Sequence, residues 1–324
     1  YATGGGSEDR HKVCLGKVGA AGFAGGNAEL IGAAEGLPGK AAEHARVRHA
    51  SSILPRLGSR TYFGERCGGE SYATGDYAAS ELLGKRLRFS VDLTGASCGC
   101  AVAVSLVPMR YRGPPGECAA DHFCGASGVC GVECQEISAM QANQHSWASS
   151  LHAYSEGAGA DVLGVSAGVG GVGGHTRRDW SAEEYGPGGS CIDTRHSFDA
   201  AIAFHADGHG AVERVEIQLA QDGKPCNVSA TIDTYEVKGA GNLSRNGLRE
   251  FGPALRAGMT VVVSYWGADS LEWLDGPYGN VSSGPCAGES VGKCEETVSL
   301  SDFSIEALPQ VTPRGGGGHG GAHG

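Results

Sequence analysis

The chain has 324 residues, 56 of them glycine and 12 cysteine, and a net charge of −11 from 36 acidic and 25 basic residues. That balance argues against a polyanionic partner such as nucleic acid, and no apolar run approaches the ~20 residues of a membrane-spanning helix. Glycine does not recur at every third position, so collagen is excluded and the glycines read as turns and tight loops.

Residues 1 to about 44 are rich in Gly and Ala with little periodicity, and read as short helical turns or irregular cover. The start at Tyr1 reads as the product of leader removal. Leu87, Phe89, Val91 and Leu93 alternate with Arg88, Ser90 and Asp92, the period of two of a half-buried strand. Ala101 to Val107 is an apolar run broken only by Ser105 and reads as a core strand. The glycine-rich stretches Gly113 to Gly131 and Gly157 to Gly174 read as loops. Phe198, Ala200, Ile202 and Phe204 alternate, Asp207-Gly208 and His209-Gly210 mark a turn, and Val215, Ile217 and Leu219 alternate again, which predicts a hairpin. Gly252 to Ala257 is a short helix candidate. Met259 to Trp266, with Val261, Val262 and Val263 in succession, carries the strongest strand signal, and Val298 to Ile305 supplies a closing strand.

Many short strands without regular helix alternation predict an all-β chain of two packed antiparallel sheets. The expected organisation is a segment 1–45 packed on or flanking the sandwich, a single β-sandwich domain over 46–310, and a flexible tail 311–324 whose two histidines are solvated. No pair of short Cys-x-x-Cys knuckles with intervening histidines appears, so the even cysteine count predicts a disulfide framework in an oxidising compartment rather than a zinc ribbon. The pairing stays open. Acceptor sequons at Asn227, Asn242 and Asn280 agree with a secreted glycoprotein. Neither a metal nor a cofactor is expected.

Four segments then carry a resemblance: RLGSRTYFG from Arg56, LRFSVDLTGASCGCAVAVSLVPM from Leu87, YGPGGSCIDTRHSF from Tyr185, and GMTVVVSYWGADSLEWLDGPYG from Gly258. In order from about Val47 to Ile305, they resemble the family 7 glycoside hydrolases, the cellobiohydrolases and endoglucanases of β-1,4-glucan breakdown. The resemblance implies a concanavalin-like or jelly-roll sandwich of two curved antiparallel sheets with disulfide-stapled loops and a glucan groove on the concave sheet. The family's catalytic segment has the form Glu-x-Asp-x-x-Glu-Ala-Asn, and here it reads Glu136-Ile137-Ser138-Ala139-Met140-Gln141-Ala142-Asn143. On that alignment Glu136 falls on the nucleophile, Ser138 replaces the supporting aspartate and Gln141 replaces the acid/base. His152 falls on a histidine the family keeps near that acid. Ala101 and Ser105 fall on cleft-facing Asn and Tyr positions, and Trp266 and Trp273 on sugar-stacking ones. Asp193, Thr194 and Asp275 are matches read as serving loop geometry, while Trp147 and Trp180 carry no assignment.

A retaining glycosidase needs two carboxyl groups about 5 Å apart, one to attack and one to protonate the leaving oxygen. Gln141 has the size of glutamate but no titratable proton, and general acid–base help is worth ~10²–10⁴ in rate. Residues two apart on a strand share a face, so Ser138 is expected beside Glu136. Two functions follow. One is a catalytically impaired extracellular protein that binds β-glucan or another neutral polysaccharide, or serves structurally among extracellular proteins in a cell wall or matrix. The other is a β-1,4-glucan hydrolase that uses Glu136 with a relocated donor, drawn from His145, His152, Glu183 or Glu184.

Overall fold

In the computed structural model, the described residues are 13–23, 26–34, 43–67, 73–109, 123–128, 132–155, 159–168, 179–238, 244–268, 271–278, 281–282, 284–286, 294–295 and 297–309. Asn242, Asn280, Cys118, Cys130, the tail and most of the Gly113 to Gly131 stretch lie outside them.

Among the described residues, fifteen strands form one hydrogen-bonded series. They are β1 (Val13–Ala21), β2 (Asn27–Ala34), β3 (Arg46–Arg48), β4 (Ser52–Leu54), β5 (Ser59–Gly64), β6 (Lys85–Asp92), β7 (Cys100–Val107) and β8 (Glu136–Ala142). After these come β9 (Trp147–His152), β10 (Val165–Gly168), β11 (Phe198–Ala206), β12 (Val212–Ala220), β13 (Val228–Ile232), β14 (Thr260–Gly267) and β15 (Ser299–Ala307). The first sheet runs β10-β9-β8-β7-β14-β5-β2-β1, and the second β15-β6-β11-β12-β13, with β3 and β4 added beside β15. The sheets join where Ala20 and Ala21 of β1 pair in parallel with Phe303 and Ser304 of β15. The result is an all-β sandwich of curved antiparallel sheets.

Its core follows from period-two alternation. Leu87, Phe89 and Val91 of β6, Ala200, Ile202 and Phe204 of β11, and Val215, Ile217 and Leu219 of β12 point inward. Opposite them stand Leu30, Phe63, Val102, Val104, Leu106, Val261 and Val263 of the first sheet. Burying one such large side chain contributes roughly 1.5–3 kcal/mol. Phe89 stacks on Phe303 with ring centroids 5.6 Å apart. Trp147 and Trp180 are buried in the same core. The β11–β12 hairpin closes as its residues predict, with Asp207 Oδ1 accepting from the amides of His209 and Ala211. Gly252–Ala257 is a short helix.

Two sequence-based expectations are overturned. The described part of the first 44 residues is not irregular cover, because Val13–Ala21 and Asn27–Ala34 are strands. Small residues hid their alternation: Val18, Ala20, Ala28 and Leu30 are buried, and Gly32 leaves the space that Leu15 fills. Within the Gly157 to Gly174 stretch, read as a loop, Val165–Gly168 pairs antiparallel with Leu151 to Ala148 and forms an edge of the first sheet.

Five disulfides join described residues: Cys14–Cys67, Cys98–Cys286, Cys100–Cys294, Cys124–Cys134 and Cys191–Cys226.

Candidate functional site

Ile137, Ala139, Met140 and Ala142 of β8 face the core, which leaves Glu136, Ser138 and Gln141 on the outer face of the first sheet. Strict alternation would not do this. Ser138 pairs with Ser105 and Met140 with Val104, so Ala139 is an extra residue relative to β7, and the register against β9 shifts at the same place. A β-bulge of this kind re-aims the side chains beyond it. Ser149, on β9, donates its hydroxyl to the Ala139 carbonyl at 2.7 Å and so holds the bulge.

Glu136 is half-buried and firmly oriented. Its Oε1 accepts from Ser105 Oγ at 2.8 Å and Ser138 Oγ at 3.3 Å, and its Oε2 accepts from the Ala126 amide at 3.0 Å. A Cβ at Gly125 would lie 3.0 Å from Oε2, so the neighbouring residue leaves the carboxyl its space. Ser138 therefore sits beside Glu136, and Ser105 faces the same side. Gln141 is half-buried, and its amide makes no hydrogen bond to a described residue.

In register across the sheet, Gln141 pairs with Ala103, Ala103 with Ser264, and Ser264 with Arg60, a row perpendicular to the strands in which only Ala103 is apolar. On one side of it Trp266, cross-strand from Ala101, stacks on Trp273 with ring centroids 6.3 Å apart and planes 19° apart. Both rings are half-buried over Ala101, Ala148, Leu271 and Leu274. On the other side, segments 123–128 and 132–134, closed by Cys124–Cys134, cover Val107, Val262 and Tyr62. Arg60 lies over the Phe123 ring, 4.6 Å from its centroid. A stacked aromatic pair beside polar side chains on one sheet face suits an extended neutral ligand with apolar faces and hydroxyl edges.

His152 is the cross-strand partner of Glu136. Its Nδ1 lies 3.1 Å from the carbonyl oxygen of Asp161. A carbonyl only accepts, so in the neutral ring the proton sits on Nδ1 and Nε2 is an acceptor.

The remaining candidates lie elsewhere. Glu183 is exposed, and Glu184 accepts from the Ser181 amide within its own turn. Their loop is anchored where Tyr185 donates to the Asn143 carbonyl, about 20 Å along β8 from Glu136 at ~3.3 Å per residue. His145 is half-buried beside the Cys98–Cys286 bridge, and burial holds its imidazole below the ordinary range. The group of Cys98, His145 and Cys286 and that of Cys14, Glu29 and Cys67 have metal-like spacing, but in both the sulfurs are bonded to each other and supply no thiolate. Asp193 forms a bidentate pair with Arg195 and accepts from the Gly188 amide; the guanidinium holds its carboxyl far below the ordinary range. Thr194 donates to the Gln144 carbonyl. Asp275 is buried, accepting from the amide of Gly99 and the side chain of Asn143, and burial raises its pKa. Asn227 is exposed.

Sequence reasoning missed the Ala126 amide, Asp161 and Tyr235. None has a local signal, since each reaches the site across a loop or a second strand.

No protein-family model matches the sequence. A probable endo-β-1,4-glucanase of Neosartorya fischeri is 25% identical over 246 residues, covering 65% of this chain and 60% of that protein. The chain thus spans about three fifths of the length of that curated relative. Among solved structures, a GH7-family cellobiohydrolase from Daphnia pulex is similar with a TM-score of 0.62 at 15% identity, covering 95% of this chain and 99% of that one. A Melanocarpus albomyces cellobiohydrolase complexed with cellotetraose has a TM-score of 0.60 at 15% identity, covering 94% and 98%. The native Humicola insolens endocellulase has a TM-score of 0.55 at 15% identity, covering 93% and 98%. The fold of this chain is that of the GH7-family cellulases.

Proposed function

We propose that this chain is an extracellular β-glucan-binding protein on a cellulase fold, without acid-assisted glycoside hydrolysis. One observation carries the reading: Gln141 lies on the same outer face of β8 as Glu136, at the position where the family resemblance puts the acid/base carboxyl. An amide can accept or donate a hydrogen bond at a glycosidic oxygen, but it has no proton to transfer to a departing one. Ser138 orients Glu136 and does not titrate with it. The Trp266–Trp273 pair supports retained sugar binding. The likeness to a β-1,4-glucanase supports that linkage class. The disulfides and the exposed sequon at Asn227 support an extracellular, glycosylated chain.

The relocated-donor reading is favoured by one observation, the cross-strand pairing of His152 with Glu136. Against it, the neutral His152 ring has its proton on Nδ1, engaged with Asp161, and none on Nε2.

The test uses an activated aryl cellobioside and soluble cello-oligosaccharides, with E136Q as control, alongside pull-down on insoluble β-1,4-glucan. Binding without turnover is the expected result. Turnover that E136Q abolishes would overturn the proposal.

A further inference from the structure

Tyr235 is 5% exposed. Its hydroxyl donates to Asp161 Oδ2 at 2.7 Å and accepts from the Ala153 amide at 3.1 Å. The Asp161 amide in turn donates to the Ala153 carbonyl at 2.8 Å. Asp161 is thus pinned through its side chain and its main chain, and the carbonyl it offers to His152 Nδ1 is held in place. Arg245 Nη1 donates to Ser155 Oγ at 3.2 Å, a second tie between the chain after Tyr235 and the segment after His152. At Gly164, with φ of +58°, a Cβ would lie 2.7 Å from Nδ1 and would also meet the Leu151 carbonyl oxygen, so only glycine leaves the ring where it is.

We propose that Asp161, Tyr235 and Gly164 clamp His152 in its Nδ1–H tautomer, so that Nε2 serves the cleft as a hydrogen-bond acceptor beside Glu136 for a sugar hydroxyl. The ligand in this proposal rests on the glucan-binding reading; the tautomer does not. Free histidine prefers the proton on Nε2, so the opposite state requires a fixed acceptor at Nδ1. Nε2 has no hydrogen-bond partner among the described residues, and the His152 side chain is half-buried rather than enclosed. Glu136 already receives three donors and, like Nε2, offers the cleft only acceptor capacity. Two adjacent acceptors select a ligand that presents hydroxyl hydrogens, as a neutral glycan does. Asp161 and Tyr235 are positioning residues in this scheme, acting through His152.

Long-range ¹H–¹⁵N spectra of the labelled full chain at neutral pH test the clamp, with the His152 signals assigned by their loss in H152Q. The wild type is expected to show a protonated Nδ1 and a bare Nε2. Y235F and D161A should each shift His152 toward the Nε2–H form, whereas D161N keeps an acceptor for Tyr235 and should retain the wild-type pattern. A wild-type ring protonated on Nε2, or an unchanged pattern in both Y235F and D161A, would overturn the clamp. Adding cellopentaose should move the Nε2 resonance, and Y235F should bind it about fivefold more weakly. If the tautomer is as stated and cellopentaose does not bind, the glucan reading fails while the clamp stands.

Discussion

Glu136 and Gln141 lie five residues apart on β8 and yet share its outer face, because Ala139 and Met140 together oppose the single residue Ser149 on β9. Without that bulge an odd spacing would send Gln141 into the core. The strand therefore presents a carboxyl and an amide on one face.

Placing a carboxyl at position 141 tests the proposed lack of an acid there. Q141E, and more so S138D/Q141E, should raise cleavage of soluble cello-oligosaccharides by ~10²–10⁴ over the wild type. Adding E136Q should erase the gain. Reducing-sugar release measures it, and no gain in either variant would count against Glu136 as a positioned nucleophile.

The stacked tryptophans should contribute to glycan affinity. W266A and W273A each remove a half-buried ring over Ala101 and Ala148. Affinity for cellohexaose, measured by calorimetry, should fall roughly tenfold, equivalent to about 1.4 kcal/mol. Thermal stability should change far less than for truncation of the buried Trp147.

Asp193 makes folding stability depend on acid. Its folded carboxyl is held well below the ordinary 3.8, first by Arg195. A depressed folded value means that the stabilisation is present above the unfolded pKa and is lost as pH falls through the folded one. Chemical denaturation from pH 6 to pH 2 should show the wild type losing stability over that descent, and D193N should give a flatter profile.

Asp275 has the opposite sign. Burial raises its folded pKa above 3.8, so its contribution is greatest below the unfolded value and declines as pH rises through the folded one. D275N keeps an acceptor for Gly99 and Asn143 and should gain on the wild type as pH rises from ~4. D275A leaves the Gly99 amide without its acceptor, while Asn143 Nδ2 keeps the Cys100 carbonyl, and should cost roughly 1–3 kcal/mol.

The Cys124–Cys134 bridge closes the segment that supplies the Ala126 amide to Glu136. C124S/C134S should lose about 2.5–3 kcal/mol on a loop-entropy account. Amide hydrogen exchange should report faster opening at Ala126 before global unfolding.

The sequence by itself determined whatever depends on near neighbours. Alternation in β6, β11 and β12 needs only a polar and an apolar face, so the two-sheet plan was legible from residues such as Leu87, Phe89 and Ile217. That position 141 carries no titratable proton was legible too, since an amide is an amide in any fold. Tertiary structure alone decided the rest. Small side chains in β1 and β2 carry too little hydrophobic contrast to announce a strand, and only pairing with β5 and β15 makes them one. The bulge at Ala139 is a mismatch between strand registers and has no signature within a single strand. Ser105 reaches Glu136 across 31 residues and Tyr235 reaches Asp161 across 74. Such contacts exist because packing of the two sheets brings distant segments together, and no local pattern of residue types encodes that distance.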